Sequence, residues 1–458
     1  MVAHSPLEED ELAQTLRPTE EEREYICGVA QKLLLAINGS GKAEGMVVGS
    51  IARDTWVKGD RDLDVFMLFD PALSREALEH EGLALARTIA RLFTTQYHEK
   101  YAEHPYINAC IDGIDVDLVP CYKVQSAAVI QSAVDRTPFH TRYITDKING
   151  LVDDVLLLKQ FTKAGGIYGS DQMTEGFSGY LCELLTLHYG GFTNLLLAAA
   201  DWRPHQLIDI EKHAQKKFDE PLIVIDPVDP KRNVAAAVSL DRMAGFIELA
   251  RGYIEKPDEI FFLIPTPHPI TRDQLAALLS ERGTCLYAIT FATPPYIEEI
   301  IVPQLKRSMQ AICDHLERNA FPVHHAHYRM MPNRCMFLFE LLVGELPNIR
   351  KHMGPPLWNP VNAEKFRTTH AGDPLPGPYI VDGHYEMEVV REYTHVTDLL
   401  SSPSLLSISL GKHVRQSLEK DWELREGADS WEEEFAQFIS GFFNRCSPLT
   451  RIRRVTEG

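Results

Sequence analysis

Apolar positions along this chain recur with two periods, and the switch between them marks out its elements. Ile26, Val29, Ala30, Leu33, Leu34 and Ile37 fall at the three- and four-residue spacing of one helix face, behind Thr19 and acids that favour a helix N-terminus. Asn38-Gly39-Ser40-Gly41 ends that helix, and residues 44–48 predict a strand leading into Gly49-Ser50. The run 65–69 is short and wholly apolar, as in a buried strand. Leu78, Leu85, Ile89 and Leu92, with Gly82 on the same stripe, predict a helix over 74–97, after which 107–119 reads as strands. From 153 the pattern turns helical: 153–165, a buried helix opened by the turn near Gly176, 195–200 and 240–255. Residues 224–235 read as a rigid loop before a helix, with Lys231 and Arg232 directed outward.

Pro265-Thr266-Pro267-His268-Pro269 is the clearest linker in the chain. Beyond it, 285–291 predicts a strand, 297–319 a long helix, and 323–330 with 336–343 a pair of strands. That βαββ order is a sheet with a helix on one face, as in RNA-binding modules, without their aromatic-rich sheet signature. His324, His325 and His327 lack a second ligand cluster, so a polar strand face, one able to touch RNA, is expected there rather than a metal site.

Acid enters the pattern where the strand at 65 begins. Side chains alternate in an extended chain, so Asp62 and Asp64 project from one face, and Asp115 and Asp117 do the same in the second strand. Bare carboxylates so placed repel, and the arrangement suits divalent cations with hard oxygen ligands, magnesium or manganese. The plain alternative is a solvated strand edge blunted by charge. The joint pattern favours chemistry: a Gly-Ser turn, an acid pair a dozen residues on, and a third acid entering an apolar strand. In the Gly49-Ser50 turn, backbone N–H groups and the Ser50 hydroxyl can bind triphosphate oxygens, with Arg53 adding a fork of donors.

At 458 residues, with 45% hydrophobic and 24% charged positions, the chain is an ordinary globular protein of two to four domains. It has no apolar run of about 18 residues and no basic-then-apolar start, so a cytoplasmic protein is expected. Its 8 cysteines form no Cys-x-x-Cys pair and read as reduced, mostly buried thiols. The net charge of -19 speaks against a polyanionic partner only until its distribution is considered. Acid concentrates in outer segments such as Glu20 to Glu24, while Lys306, Arg307, Arg350, Lys351, Lys412 and Arg415 supply the second half with base.

Gly49-Ser50, Asp62-x-Asp64 and Asp117 resemble the signature of the polymerase-beta nucleotidyltransferase superfamily, and Gly-Ser-x-Ala-Arg-x-Thr-Trp-x-Lys-Gly narrows the likeness to the archaeal (class I) CCA-adding enzymes, tRNA nucleotidyltransferases. The resemblance spans nearly the whole chain. It implies a multidomain α+β protein: a polymerase-beta-like head of mixed sheet and helices (1–150), a helical central domain binding nucleotide and tRNA (151–262), and an α/β tRNA-binding C-terminal region (263–458). It implies addition and repair of the tRNA 3′-terminal CCA from CTP and ATP without a nucleic-acid template. Asp62, Asp64 and Asp117 are then the catalytic ligands of two Mg²⁺ ions. Ser50 and Arg53 bind phosphates, Thr137, His140, Lys159 and Tyr168 contact the nucleotide, and Arg232 helps recognise the base. A guanidinium fork satisfies acceptors on both cytosine and adenine, whereas guanine and uracil present other edges. The family-like text Tyr101-Ala102-Glu103-His104-Pro105-Tyr106 is placed beside the site. Poly(A) polymerase or another RNA terminal transferase is the rival enzyme, and an RNA-binding protein with a disabled transferase domain the rival non-enzyme. Whether the chain forms a homodimer is left open.

Overall fold

The computed structural model describes residues 6–101, 105–265, 269–373 and 375–454, so Ala102 to His104 of the segment expected beside the site, and the linker's Thr266 to His268, lie outside the described residues. The chain divides into two compact units, Met1–Thr266 with Cys446–Gly458, and Pro267–Arg445. The chain end, assigned to the C-terminal region by sequence, thus groups with the first unit.

In the first unit, helices α1 (Pro6–Leu16) and α2 (Glu20–Gly39) precede β1 (Glu44–Val48), the single turn α3 (Gly49–Ala52), β2 (Asp62–Phe69), α4 (Arg75–Phe93), β3 (Tyr97–Tyr101), β4 (Pro105–Ile111) and β5 (Ile114–Tyr122). Thr19 caps α2 in a capping box with Glu22, as the acids of its first turn suggested. The five strands form one mixed sheet, order β1-β2-β5-β4-β3, in which β2 and β5 run parallel and the other pairs antiparallel. Leu63, Val65 and Met67 alternate with Val116, Leu118 and Ile107 to fill one core with α2 and α4. The acids of β2 and β5 occupy the intervening positions and therefore face away from those helices.

Helix α4 stops at Phe93, short of the expected 97, because Tyr97 already pairs with Ala109 as an edge strand. Gly82 looked like a weak point in that helix and proves to be its contact: a Cβ there would lie 2.5 Å from Pro120 Cβ on β5. The chain continues through α5 (Thr137–Lys147), α6 (Val152–Ala164), α7 (Gly179–Tyr189), α8 (Phe192–Ala199), β6 (Gln206–Ile208), β7 (Leu222–Asp226), β8 (Asp229–Asn233) and α9 (Leu240–Glu255). Phe161, Phe177, Leu184, Phe192 and Phe246 centre a second core. The loop expected over 224–235 is instead the antiparallel β7–β8 pair, closed by the Asn233 side chain, which accepts from Val224 N at 2.8 Å.

A buried ion cluster fastens the Gly49–Arg53 turn to α6 and α7. Glu183 sits at 0% exposure in the apolar run of α7 and receives Arg53 Nε at 3.1 Å, the Thr55 hydroxyl, and Lys159 Nζ at 3.3 Å. Burial pushes the Glu183 carboxyl up, but Arg53 and Lys159 outweigh it and hold it below its ordinary range. The same burial pulls Lys159 below its usual value.

The second unit holds α10 (Arg272–Arg282), β9 (Cys285–Ala292), α11 (Glu298–Arg318), β10 (Val323–Met330) and β11 (Arg334–Leu341), the βαββ order read from sequence. A second motif follows, β12 (Ile349–Pro356), α12 (Pro360–Thr369), β13 (Tyr379–Val381) and β14 (His384–Val390), before β15 (Trp422–Glu426) joins the first sheet in the order β10-β11-β9-β15. On β10, the half-buried His325 stacks on Phe442 at 4.4 Å and accepts from Arg445, while His327 meets Phe438 and, like His324, stays exposed. The strand thus keeps two exposed histidines, and His325 is the one stacked on a C-terminal aromatic. Of the eight cysteines, Cys121, Cys182 and Cys335 are buried, Cys27 and Cys110 exposed, and none is in a disulfide.

Two substitutions test this packing. Gly82→Ala adds about 1 kcal/mol of helix propensity, yet the clash with Pro120 is expected to lower stability by about 1–3 kcal/mol net, read from the urea unfolding midpoint; a stabilised variant would refute the close approach. Glu183→Gln leaves two buried cations with no anion and should cost about 3–5 kcal/mol at neutral pH. Because the folded Glu183 pKa lies below its ordinary value of 4.5, that difference should be complete above this value and shrink as pH falls through the lower folded pKa, in unfolding measured from pH 7 to 3.

Candidate active site

Parallel pairing of β2 with β5 sets Asp62 opposite Asp115 and Asp64 opposite Asp117. Burial first, then Asp117, drives the Asp64 carboxyl up to about 7, with Arg53 opposing. Burial also raises Asp117, against the hydrogen bond from Asn108 at 2.7 Å, and burial with Asp60 and Asp115 raises Asp62. None of Asp62, Asp64 and Asp117 joins an ion pair among the described residues. Uncompensated carboxylates of this kind match a hard divalent cation in charge and donor type. Among the described residues, however, no three His, Cys, Asp or Glu side chains are gathered closely enough to enclose an ion. Asp60 belongs to a different contact, since both its oxygens lie 2.7 Å from Lys163 Nζ.

Gly49 is the hinge between these acids and the cleft beside them. Its φ of +74° and the Asp64 oxygen, 2.1 Å from where a Cβ would stand, leave room only for glycine. Ser50 follows in the α3 turn, its carbonyl accepting from Arg53 N and Thr55 N. The cleft, about 1230 Å³, is lined by Gly49, Arg53, Thr137, His140, Tyr180 and Arg232 among others. Thr137 opens α5, and the His140 ring one turn later stacks on Tyr180 at 4.2 Å. His140 Nε2 and Arg232 NH1 each lie 2.8 Å from the buried Asp226 carboxylate. Arg136 Nε donates to Asp229 at 2.8 Å on the same wall. Burial lowers the His140 pKa, leaving it neutral at pH 7, a donor through Nε2 to Asp226.

The structure therefore brings Arg53, Thr137, His140 and Arg232 to one cleft whose Gly49 wall abuts Asp64. Arg232 is not simply directed outward: its guanidinium is tied to Asp226, while Lys231 is exposed. Lys159 and Tyr168 are not on the cleft wall. Lys159 is 2% exposed and donates to the Thr55 carbonyl at 2.7 Å, and the half-buried Tyr168 has Lys163 Nζ 5.3 Å from its ring centre. Sequence reasoning passed over Asn108, Tyr180, Glu183 and Asp226. Glu183 alone gave a signal, a single acid inside the apolar run Leu181-Cys182-Glu183-Leu184-Leu185.

Three family models match consecutive segments: a nucleotidyltransferase domain over residues 31–140, the second domain of tRNA nucleotidyltransferase over 153–263, and the C-terminal domain of the CCA-adding enzyme over 282–427. The chain is 70% identical to a CCA-adding enzyme of Methanoregula boonei over 458 residues, all of both chains. It is 42% identical to the CCA-adding enzyme of Methanosarcina barkeri over 90% of this chain and 92% of that one, and 38% identical to that of Haloarcula marismortui over the same shares. Among solved structures, a Cid1 poly(U) polymerase superposes with a TM-score of 0.46 at 14% identity, over 57% of this chain and 98% of that one, too slight a likeness to bear on function. With a mixed-sheet nucleotidyltransferase head and relatives this similar along its entire length, the chain belongs to the archaeal CCA-adding enzymes.

Proposed function

We propose that this chain adds and repairs the 3′-terminal C, C and A of tRNA, using CTP and ATP and no nucleic-acid template. The observation that carries the reading is the in-register facing of Asp64 and Asp117 on parallel strands, next to a cleft walled by Arg53, His140 and Arg232. In the reaction the tRNA 3′-oxygen bonds to the α-phosphorus, the bond to the β-phosphate oxygen breaks, and pyrophosphate leaves. Asp62, Asp64 and Asp117 would hold two Mg²⁺ ions, which when bound supply charge neutralisation and a lowered 3′-hydroxyl pKa. The Gly49-Ser50 amides, the Ser50 hydroxyl and Arg53 bind triphosphate, using guanidinium donors that Glu183 and Thr141 leave unused. Thr137 and His140 orient the nucleotide, and Arg232 reads the base.

Lys159 and Tyr168 enter this reading from behind the Arg53 turn. A Cβ on Gly179 would lie 3.0 Å from the Tyr168 hydroxyl and 3.5 Å from Lys159 Nζ, so the two are neighbours there. Residues 1–150 serve as catalytic head, 151–262 as nucleotide and tRNA platform, and the C-terminal region from 263 as tRNA-binding body, less the chain end 446–458, which groups with the first unit. No helix among the described residues is long and apolar enough to cross a membrane, and the proposed compartment is the cytoplasm, where tRNA is processed.

Purified protein given Mg²⁺, tRNA lacking its terminus, CTP and ATP should lengthen the RNA by three nucleotides and stop; homopolymer tailing of generic RNA would assign it instead to the poly(A) polymerases. Asp64→Ala and Asp117→Ala should each abolish incorporation while tRNA affinity, by filter binding, stays within about twofold of wild type, as expected where the 3′ end is a small part of the RNA contact. Loss of folding and binding together would assign those aspartates a structural role.

A further inference from the structure

Asp226 is a buried acid beside the cleft whose donors include two side chains of the cleft wall. It closes β7 at 0% exposure. Its Oδ2 accepts from His140 Nε2 and from Arg232 NH1, both at 2.8 Å, while Oδ1 accepts from Val228 N at 3.0 Å and from the Tyr180 hydroxyl at 3.4 Å. Donors from α5, α7, β8 and the intervening turn thus converge on one carboxylate, which has no freedom to turn. His140, Tyr180 and Arg232 line the cleft and Asp226 does not.

We propose that Asp226 is a positioning residue for nucleotide selection: by holding Arg232 NH1 against the His140–Tyr180 stack, it fixes the plane in which the guanidinium meets the incoming base. This rests on the reading of Arg232 as the base-recognising residue. Arginine can only donate. Cytosine N3 and adenine N1 accept, whereas the matching atoms of uracil and guanine carry hydrogens. Discrimination of that kind demands a fixed donor plane, because a guanidinium on a free stem can swing to a carbonyl or a phosphate oxygen and satisfy either base. Asp226 removes that freedom by engaging one N–H of NH1, the only Arg232 hydrogen bond among the described residues, and leaves the other donors to the cleft. Burial opposes the charge on Asp226, yet His140 and Arg232 bring its pKa down to about 2, so the anchor stays ionised across the neutral range.

The test is the ratio of kcat/KM for CTP to that for UTP at the first added position, with full-length protein, Mg²⁺ and tRNA lacking its last three nucleotides. Asp226→Asn should lower the ratio roughly 10- to 100-fold, chiefly through a raised KM for CTP and faster UTP misincorporation. Arg232→Ala should lower it comparably, and the double variant no further, since both act through one contact. An unchanged ratio in Asp226→Asn, whether activity is retained or falls equally with both nucleotides, overturns the proposal, and so does a double variant whose losses multiply. An unchanged ratio in Arg232→Ala overturns instead the underlying assignment of Arg232. Should Asp226→Asn fail to fold, Asp226→Glu keeps the charge while moving the acceptor by one methylene, and the same fall in ratio is expected against the same refuting result.

Discussion

Repulsion between carboxylates that the sheet will not allow to separate is the constraint on which the first unit depends. Parallel pairing brings Asp64 and Asp117 into register, and Asp117 adds to burial in raising the cost of ionising Asp64, as Asp115 and Asp62 do for Asp117. A lone strand could relieve this by slipping one residue, but a slip would turn Leu63, Val65 and Met67 out of the core and Asp64 into it. The hydrophobic pattern on one face of β2 thus enforces the electrostatic conflict on the other. Gly49 adds to it by bringing backbone against the Asp64 oxygen.

Support for that conflict comes from the walls of the cleft, where cations are fixed by buried acids. Glu183 and Asp226 differ from the acids of β2 and β5 in one respect: each is ringed by donors, so each stays ionised. Glu183 anchors Arg53 and Lys159, and Asp226 anchors Arg232 and His140. Two wholly buried carboxylates therefore act as mounts for Arg53, His140 and Arg232, which reach the cleft, while the carboxylates of the sheet lack such a ring of donors. The same residue type serves opposite ends according to what surrounds it.

The elements legible in the sequence were those whose signal is local. Val65 and Met67 advertise a buried strand, Thr19 with Glu22 a helix start, and the alternation 114–118 the partner strand, so both acid-bearing strands could be read before any geometry was known. The β7–β8 hairpin was missed because Pro227 and Pro230 speak for a loop, and only the pairing of Ile225 with Asn233 decides otherwise. Family likeness pointed to Arg53, Thr137, His140 and Arg232, which the fold gathers at one cleft. It could not show that Lys159 turns inward to the Thr55 carbonyl, a contact across 104 positions of chain. Asp226 was illegible for the same reason, and the apolar run around Glu183 marked that acid as buried without naming its partners: a buried anion is defined by partners distant in sequence.

A chain with a net charge of -19 must still admit a triphosphate and, on the proposed function, a tRNA. Charges on separate surfaces are screened beyond about 8–10 Å at physiological salt, so the total says little about what an anion meets inside a cleft. There the balance is local. The buried Arg53 lines the cleft beside Gly49, and Arg136, Lys231 and Arg232 join it, four cations against Asp229 and Glu220 among the described residues. A buried excess charge keeps its reach because little solvent screens it, whereas the surface acids of α2, such as Glu21 and Glu24, lose theirs to counterions. The acidic exterior and the cationic cleft are thus compatible, and the second is sustained by burying acids rather than by removing them.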